Sequence, residues 1–191
     1  MIRKATLNDA VAMHQMINLA ARRGQMLGRA LAEIYENIRD YYVAVERRRV
    51  VAVCGMHVNW EDLAEIKSLV VAPSYQGRGF GRLLVKACIA EGQELGVRRF
   101  YALTYVKDFF KRLGFKRVPR EQLPQKVWSE CIRCHKFPDC DEVAMLLEIK
   151  SSSRGLNRGA ASSRGRGRWS SVKSRSGTSQ PGSKRGARAL H

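Results

Sequence analysis

A strand–turn–helix pattern over residues 63–95 restricts the fold of this chain more than any other feature. At its centre stands Gln76-Gly77-Arg78-Gly79-Phe80-Gly81. An apolar, β-branched run precedes it at residues 66–71 and is ended by Ala72-Pro73. Beyond it Leu83, Leu84, Ala87 and Cys88, then residues 91–95, keep helical spacing up to Gly96. Without Cβ atoms, the backbone N–H groups of such a turn can approach a ligand closely. The helix start adds unpaired donors and the positive end of its dipole. The combination suits a phosphate or pyrophosphate. It is not a P-loop, because no Gly-Lys-Ser/Thr follows, and the glycines at 77, 79 and 81 miss the G-x-G-x-x-G spacing of a dinucleotide turn. The plainer alternative is a glycine-rich turn that binds nothing.

The 191 residues allow one domain of ordinary size with an appendage. The formal charge of +18 is unevenly spread: residues 151–191 hold ten Arg or Lys and no acidic residue, so the remainder carries +8. That tail is Ser, Gly and Arg with only Leu156, Trp169, Val172 and Leu190 to bury. Such a composition cannot offset its ordering entropy, which predicts a disordered basic tail and a domain over residues 1–150. No segment near the start reads as a secretory signal, and no run approaches the roughly 18–20 apolar residues of a membrane helix. Five cysteines without such a signal are expected as reduced thiols of a cytoplasmic protein.

In chain order, residues 2–5 read as a strand and Thr6 or Asn8 as the cap of a first helix. Val11, Met13, Met16, Ile17, Leu19 and Ala20 are expected as its buried stripe, with the methionines as core filler. A break at 24–28 precedes a second helix over 30–39. Residues 41–45 and 50–57 then form a hairpin about the turn at 46–49, and 63–71 is the strand entering the glycine turn. After the glycine helix come a strand at 98–105, a short helix at 107–113 closed by Gly114, and strands at 115–118 and 143–149. The expected fold is α/β, a mixed and twisted sheet flanked by helices.

The spacing Q-x-x-G-x-G after a Val-Ala-Pro strand end resembles the acetyl-CoA pyrophosphate loop of the GNAT superfamily of N-acyltransferases. The order βααββ then βαβαβ, and Leu113-Gly114-Phe115 after a short helix, are similar to the same superfamily. Within it, Met26-Leu27-Gly28-Arg29-Ala30-Leu31, residues 35–40, Glu61-Asp62-Leu63-Ala64-Glu65-Ile66, residues 102–105, 123–128 and 140–144 resemble bacterial N-acetylglutamate synthases. The similarity is to their short form, without the amino-acid kinase domain, and it stops before the tail. Gly28 stands where that family is expected to have proline.

The resemblance implies acetyl-CoA as co-substrate, no required metal, and attack of the α-amine of L-glutamate on a thioester. It assigns Leu69, Val70, Val71, Gln76, Gly77, Arg78, Gly79, Phe80, Gly81 and Arg82 to acetyl-CoA, with the N–H groups of residues 69–71 holding the thioester carbonyl and pantetheine arm. An α-ammonium must lose a proton before attack, and Glu65 matches the family's base; the plainer reading is a strand carboxylate paired with Lys67 or Arg99. The tyrosine that often protonates the leaving thiolate is replaced by Phe110, leaving Thr104, Tyr105 or water for that role. Arg29 aligns with a residue that binds the α-carboxylate, and a cation before a helix opposes the dipole, which asks for another reason. Lys126, Arg133 and Lys136 are weaker carboxylate partners. The resemblance also admits a homodimer.

Cys131-Ile132-Arg133-Cys134-His135 with Cys140 raises two other readings. C-x-x-C-H is a haem-attachment pattern, here without an export signal or distal ligand. Three cysteines and a histidine could hold zinc, but a second C-x-x-C is missing and Cys134 and His135 are adjacent. A packed loop or thiol pair is the expectation, while Cys54 and Cys88 lie in apolar contexts and belong in the core. Two rivals remain. One is a GNAT enzyme for another small amine or a protein N-terminus. The other is an RNA- or DNA-binding protein, whose Arg-Gly tail and Trp169 track phosphates and stack on bases.

Overall fold

The computed structural model describes residues 1–123 and 141–149. The basic tail, Cys131, Cys134, Cys140, Lys126, Arg133 and Lys136 lie outside the described residues. In order, the chain forms β1 (Ile2–Lys4), α1 (Ala10–Arg22), α2 (Leu31–Glu36), β2 (Tyr41–Glu46), β3 (Arg49–Trp60), β4 (Leu63–Val71), α3 (Phe80–Glu94), β5 (Arg99–Thr104), α4 (Lys107–Lys111), β6 (Lys116–Val118) and β7 (Val143–Glu148). The strands make one seven-stranded sheet ordered β1-β2-β3-β4-β5-β7-β6. Neighbours are antiparallel except β4 and β5, which run parallel across the α3 crossover. The final strand inserts between β5 and β6 rather than adding at the edge.

Strand alternation divides the apolar residues between two faces. Tyr41, Val43 and Val53 meet Ala10, Met13 and Ile17 of α1 and Ile34 of α2 on one face. Cys54, Met56, Ala64, Ile66 and Phe100 meet Leu84, Val85 and Cys88 of α3 and Phe110 of α4 on the other. The expected stripe of α1 is corrected at two positions: Val11 and Leu19 are 48% and 42% exposed. The buried set is Ala10, Met13, Ile17 and Ala20, the 3-4-3 spacing of a single helical face. The second helix is shorter than its pattern, because Asn37 leaves helical geometry and a 3₁₀ turn, Ile38–Asp40, leads into β2.

The first hairpin turns tightly. Glu46 pairs with Arg49, leaving Arg47 and Arg48 as a two-residue loop with φ of 48° and 64°. Both central residues are left-handed, as the type I′ turn favoured by strand twist requires. β3 runs three residues beyond the expected end, because Val58 pairs with Ala64 and Trp60 with Leu63 across an irregularity at Asn59.

Asp9 secures the entry to α1. Its carboxylate accepts from the Thr6 N–H and Thr6 hydroxyl, each at 2.8 Å, and from both ends of the Arg3 guanidinium at 2.6 and 2.9 Å. The Arg3 fork foremost, with the Thr6 donors, holds its pKa down at about 2. A depressed carboxylate stabilises the fold above its unfolded pKa and loses that stabilisation as pH falls toward the folded value. Asp9→Asn is therefore expected to cost about 1–2 kcal/mol at neutral pH, discounted because Arg3 is partly solvated. Urea melts of parent and variant should converge as pH falls from about 4 to about 2.

Candidate active site

β4 and β5 pair only at Leu63–Arg99, Ala64–Phe100 and Glu65–Tyr101. Past Glu65 the strands part, while β4 stays on β3 through Val71 and β5 stays on β7 through Thr104. The β5-facing N–H and C=O groups of residues 66–71 therefore open onto a gap in the sheet. Such a half-buried ladder edge offers its groups to an incoming partner. An extended chain with amide groups of its own, such as pantetheine, can be that partner.

A bulge lies in this edge. Val53 opposes Val70 but Gly55 opposes Lys67, so Ser68 and Leu69 share the place of one residue, and Ser68 has φ of 51°. A buried hydroxyl holds it: Tyr41, 1% exposed, is hydrogen-bonded to the Ser68 side chain. Burial is the larger influence on the Tyr41 phenol and raises its pKa. The bulge turns β4 N–H groups out of the ladder beside Leu69–Val71, where the thioester carbonyl is expected.

From Val71 the chain passes a 3₁₀ turn, Pro73–Tyr75, and reaches the glycines. Gln76 fixes the turn by donating from Nε2 to the Val71 carbonyl at 3.1 Å. Gly77 and Gly79 have φ of 76° and 84°, and Gly79 is the N-cap of α3. A Cβ on Gly77 would meet nothing within 4 Å. The space above the turn is open, and the glycines are there for backbone shape and ligand approach. The first-turn N–H groups of Phe80, Gly81 and Arg82 follow at once, and an Arg82 Nη lies over Gly79. Arg78 is turned aside: it reaches Glu46 at 3.1 Å and lies over the rings of Tyr75 and Phe80 at 5.0 and 5.5 Å.

On the α1–α2 face, polar groups collect beside the split. Glu65 is half-buried and paired in register with His57 on β3 and Tyr101 on β5. The Arg29 side chain is only 8% exposed, and its Nη1 donates to Glu33 at 2.5 Å. Asn18 of α1 pins the Arg29 backbone, donating to its carbonyl at 2.8 Å and accepting from its N–H at 3.3 Å. A Cβ on Gly28 would fall 2.7 Å from Asn18 Oδ1, so a larger residue there would displace the Asn18 side chain from Arg29. Thr104 closes β5 at 7% exposure, with Oγ1 accepting from the Val106 N–H at 3.1 Å and its O–H still able to donate. Tyr105 follows, half-buried. Phe110 is packed edge-on between Phe109 and Phe115 and offers no proton.

The sheet split, bulge and glycine turn coincide with a family match. Residues 11–115 match the Acetyltransferase (GNAT) family. An uncharacterized N-acetyltransferase of Chlorobaculum tepidum is 40% identical over 148 residues, which is 78% of this chain and 96% of that protein. The chain belongs to the GNAT acetyltransferase family. It is an acetyl-CoA-dependent N-acetyltransferase, related to amino-acid acetyltransferases. One of these, from Mycobacterium tuberculosis, is 28% identical over 70% of this chain and 78% of its own length. N-acetylglutamate synthase from Neisseria gonorrhoeae, solved with coenzyme A and N-acetyl-glutamate, has the same fold at a TM-score of 0.72. That match has 19% identity and covers 78% of this chain and 35% of that one.

Glu65 and His57 lie on the α1–α2 face of the sheet where the split begins, and Arg29 precedes α2 on that face. Ser68, Tyr41 and His57 were missed at the level of sequence. The bulge did leave a signal: Ala64 and Ile66 face α3, as do Leu69 and Val71, so the apolar period slips by one between 66 and 69. Gly79→Val tests the loop. A valine is strained at a φ of 84°, and its branches fill the space a pyrophosphate must enter. Acetyl-CoA affinity, followed by calorimetry, should fall at least about tenfold, or roughly 1.4 kcal/mol. Unchanged affinity in the folded variant would remove the loop from the site.

Among the described residues no helix is long and apolar enough to cross a membrane, and no cluster of three metal-binding side chains occurs.

Proposed function

We propose that the protein transfers the acetyl group of acetyl-CoA to the α-amine of L-glutamate, giving N-acetyl-L-glutamate and CoA. The observation that carries this reading is the buried guanidinium of Arg29 on the acceptor face. It is close enough to Tyr41, the residue that holds the bulge, to act on its charge. A guanidinium is a planar, permanently charged fork whose geometry matches a carboxylate. The amino-acid acetyltransferase relative and the N-acetyl-glutamate bound by the structural neighbour support the choice of acceptor.

In this reading Glu65 takes the proton of the α-ammonium and the neutral amine attacks the thioester carbon. The N–H groups of Leu69, Val70 and Val71 take up the charge that grows on the carbonyl oxygen. The C–S bond then breaks, the nitrogen gives up its second proton, and the thiolate recovers one through Thr104, Tyr105 or water. Gln76 to Arg82 hold the pyrophosphate. Residues 1–150 form the catalytic unit, and 151–191 are an appended basic tail that the chemistry does not use. Mass spectrometry of a reaction with acetyl-CoA and L-glutamate tests the assignment. N-acetyl-L-glutamate should accumulate in step with free CoA; acetylated peptide N-termini with glutamate untouched would move the acceptor to protein.

A further inference from the structure

We infer that His57, oriented by Asp40, is the proton exit of the active site, receiving from Glu65 the proton taken off the acceptor ammonium. This rests on the reading of Glu65 as the base. His57 Nδ1 lies 2.6 Å from Asp40 Oδ2. With the carboxylate accepting from Nδ1–H, the lone pair sits on Nε2, and the ring is fixed in one tautomer and orientation. Asp40 ends the 3₁₀ turn before β2, so the dyad is built from two elements rather than from a chance neighbour along one strand.

His57 stands directly opposite Glu65 in the antiparallel β3–β4 ladder. Residues so placed share a face with Cβ atoms about 4.5–5.5 Å apart, within reach of each other directly or through one water. Glu65 is the last β4 residue joined to β5, at the mouth of the split, while the His57 and Asp40 side chains are 39% and 26% exposed. The three side chains thus run from the reacting gap to solvent. The other charged or titratable groups on the elements packed here are Lys67 on β4, Tyr41 on β2, Arg29 and Glu33 at α2, and Tyr101 on β5, whose hydroxyl donates to Asn59 beside His57.

The balance is simple. The N–H bond of the ammonium breaks and an O–H bond forms on Glu65; that proton passes to the Nε2 lone pair, giving an imidazolium beside the Asp40 carboxylate, and leaves to bulk water. Without an exit, a protonated Glu65 must wait for water to reach a half-buried site before the next turnover. An imidazole has nitrogens on opposite sides of its ring, so with Nδ1 held by Asp40 the Nε2 is left to take a proton and pass it on.

The test compares parent, His57→Gln, Glu65→Gln and the double variant in thiol-release assays from pH 7 to pH 9.5, with L-glutamate or the preferred amine of the parent. His57→Gln is expected to lower kcat roughly 10- to 30-fold at pH 7, with acetyl-CoA affinity unchanged as the check on folding. The deficit should shrink toward pH 9.5, where the amine is increasingly neutral, and the double variant should be no slower than Glu65→Gln alone. In His57→Ala, added imidazole should restore part of the rate. An unchanged rate, a deficit constant with pH, losses that multiply in the double variant, or no rescue by imidazole would overturn the proton exit while leaving Glu65 in place. A harmless Glu65→Gln would overturn the base and the exit together.

Discussion

Glu65→Gln is expected to lower kcat by roughly 100-fold at pH 7, with acetyl-CoA affinity held within about twofold. The amide keeps the shape of the carboxylate and its place opposite His57 and Tyr101, and removes only the basicity. At pH 7 the acceptor amine is overwhelmingly protonated and cannot attack. A positioned base supplies the neutral form at the thioester, so the loss appears in kcat rather than in binding. At pH 9 solvent supplies more free amine and the deficit narrows. If the variant matches the parent at both pH 7 and pH 9, Glu65 is a structural strand residue.

Arg29→Ala is expected to raise the KM for glutamate by about 10- to 150-fold, equivalent to roughly 1.5–3 kcal/mol for a charge-assisted, water-poor pair. Position is what makes the effect large. Asn18 clamps the Arg29 backbone from α1, and the side chain is buried, so its donors cannot drift to solvent. Arg29→Lys recovers only part of the loss, since an ammonium lacks the fork. Glutamate α-amide, without the carboxylate, should be a poor acceptor for the parent and no worse for Arg29→Ala, and acetyl-CoA affinity should hardly move. Equal weakening of glutamate and its α-amide would make Arg29 a support for α2 through Glu33 instead.

The sheet, the helices and the glycine turn were legible because period and glycine spacing are local properties. Gln76 to Gly81 identified the turn, and the Leu-Gly-Phe after the short helix located α4 and the edge of the sheet. The α1 stripe misread Val11 and Leu19 for a physical reason: apolar residues are common on exposed helix faces, and only the tighter 3-4-3 set is shielded by the sheet. The acceptor side was less legible, because it is assembled across elements. Asp40 and His57 are 17 positions apart, and Tyr41 reaches Ser68 across β3. The split itself depends on where β4 and β5 stop pairing, which is a property of the whole sheet rather than of either strand's local pattern. One part could have been read: the slipped alternation around Ser68 marks the bulge.

Acetylation of glutamate is the reaction proposed for this GNAT enzyme. Its most direct measurement is free-thiol release from acetyl-CoA with each of the twenty amino acids in turn, as kcat/KM. L-glutamate is expected to give the highest value, with glutamine and aspartate well below it. Release that is equal across the amino acids, or that occurs only with a peptide amine, would contradict it.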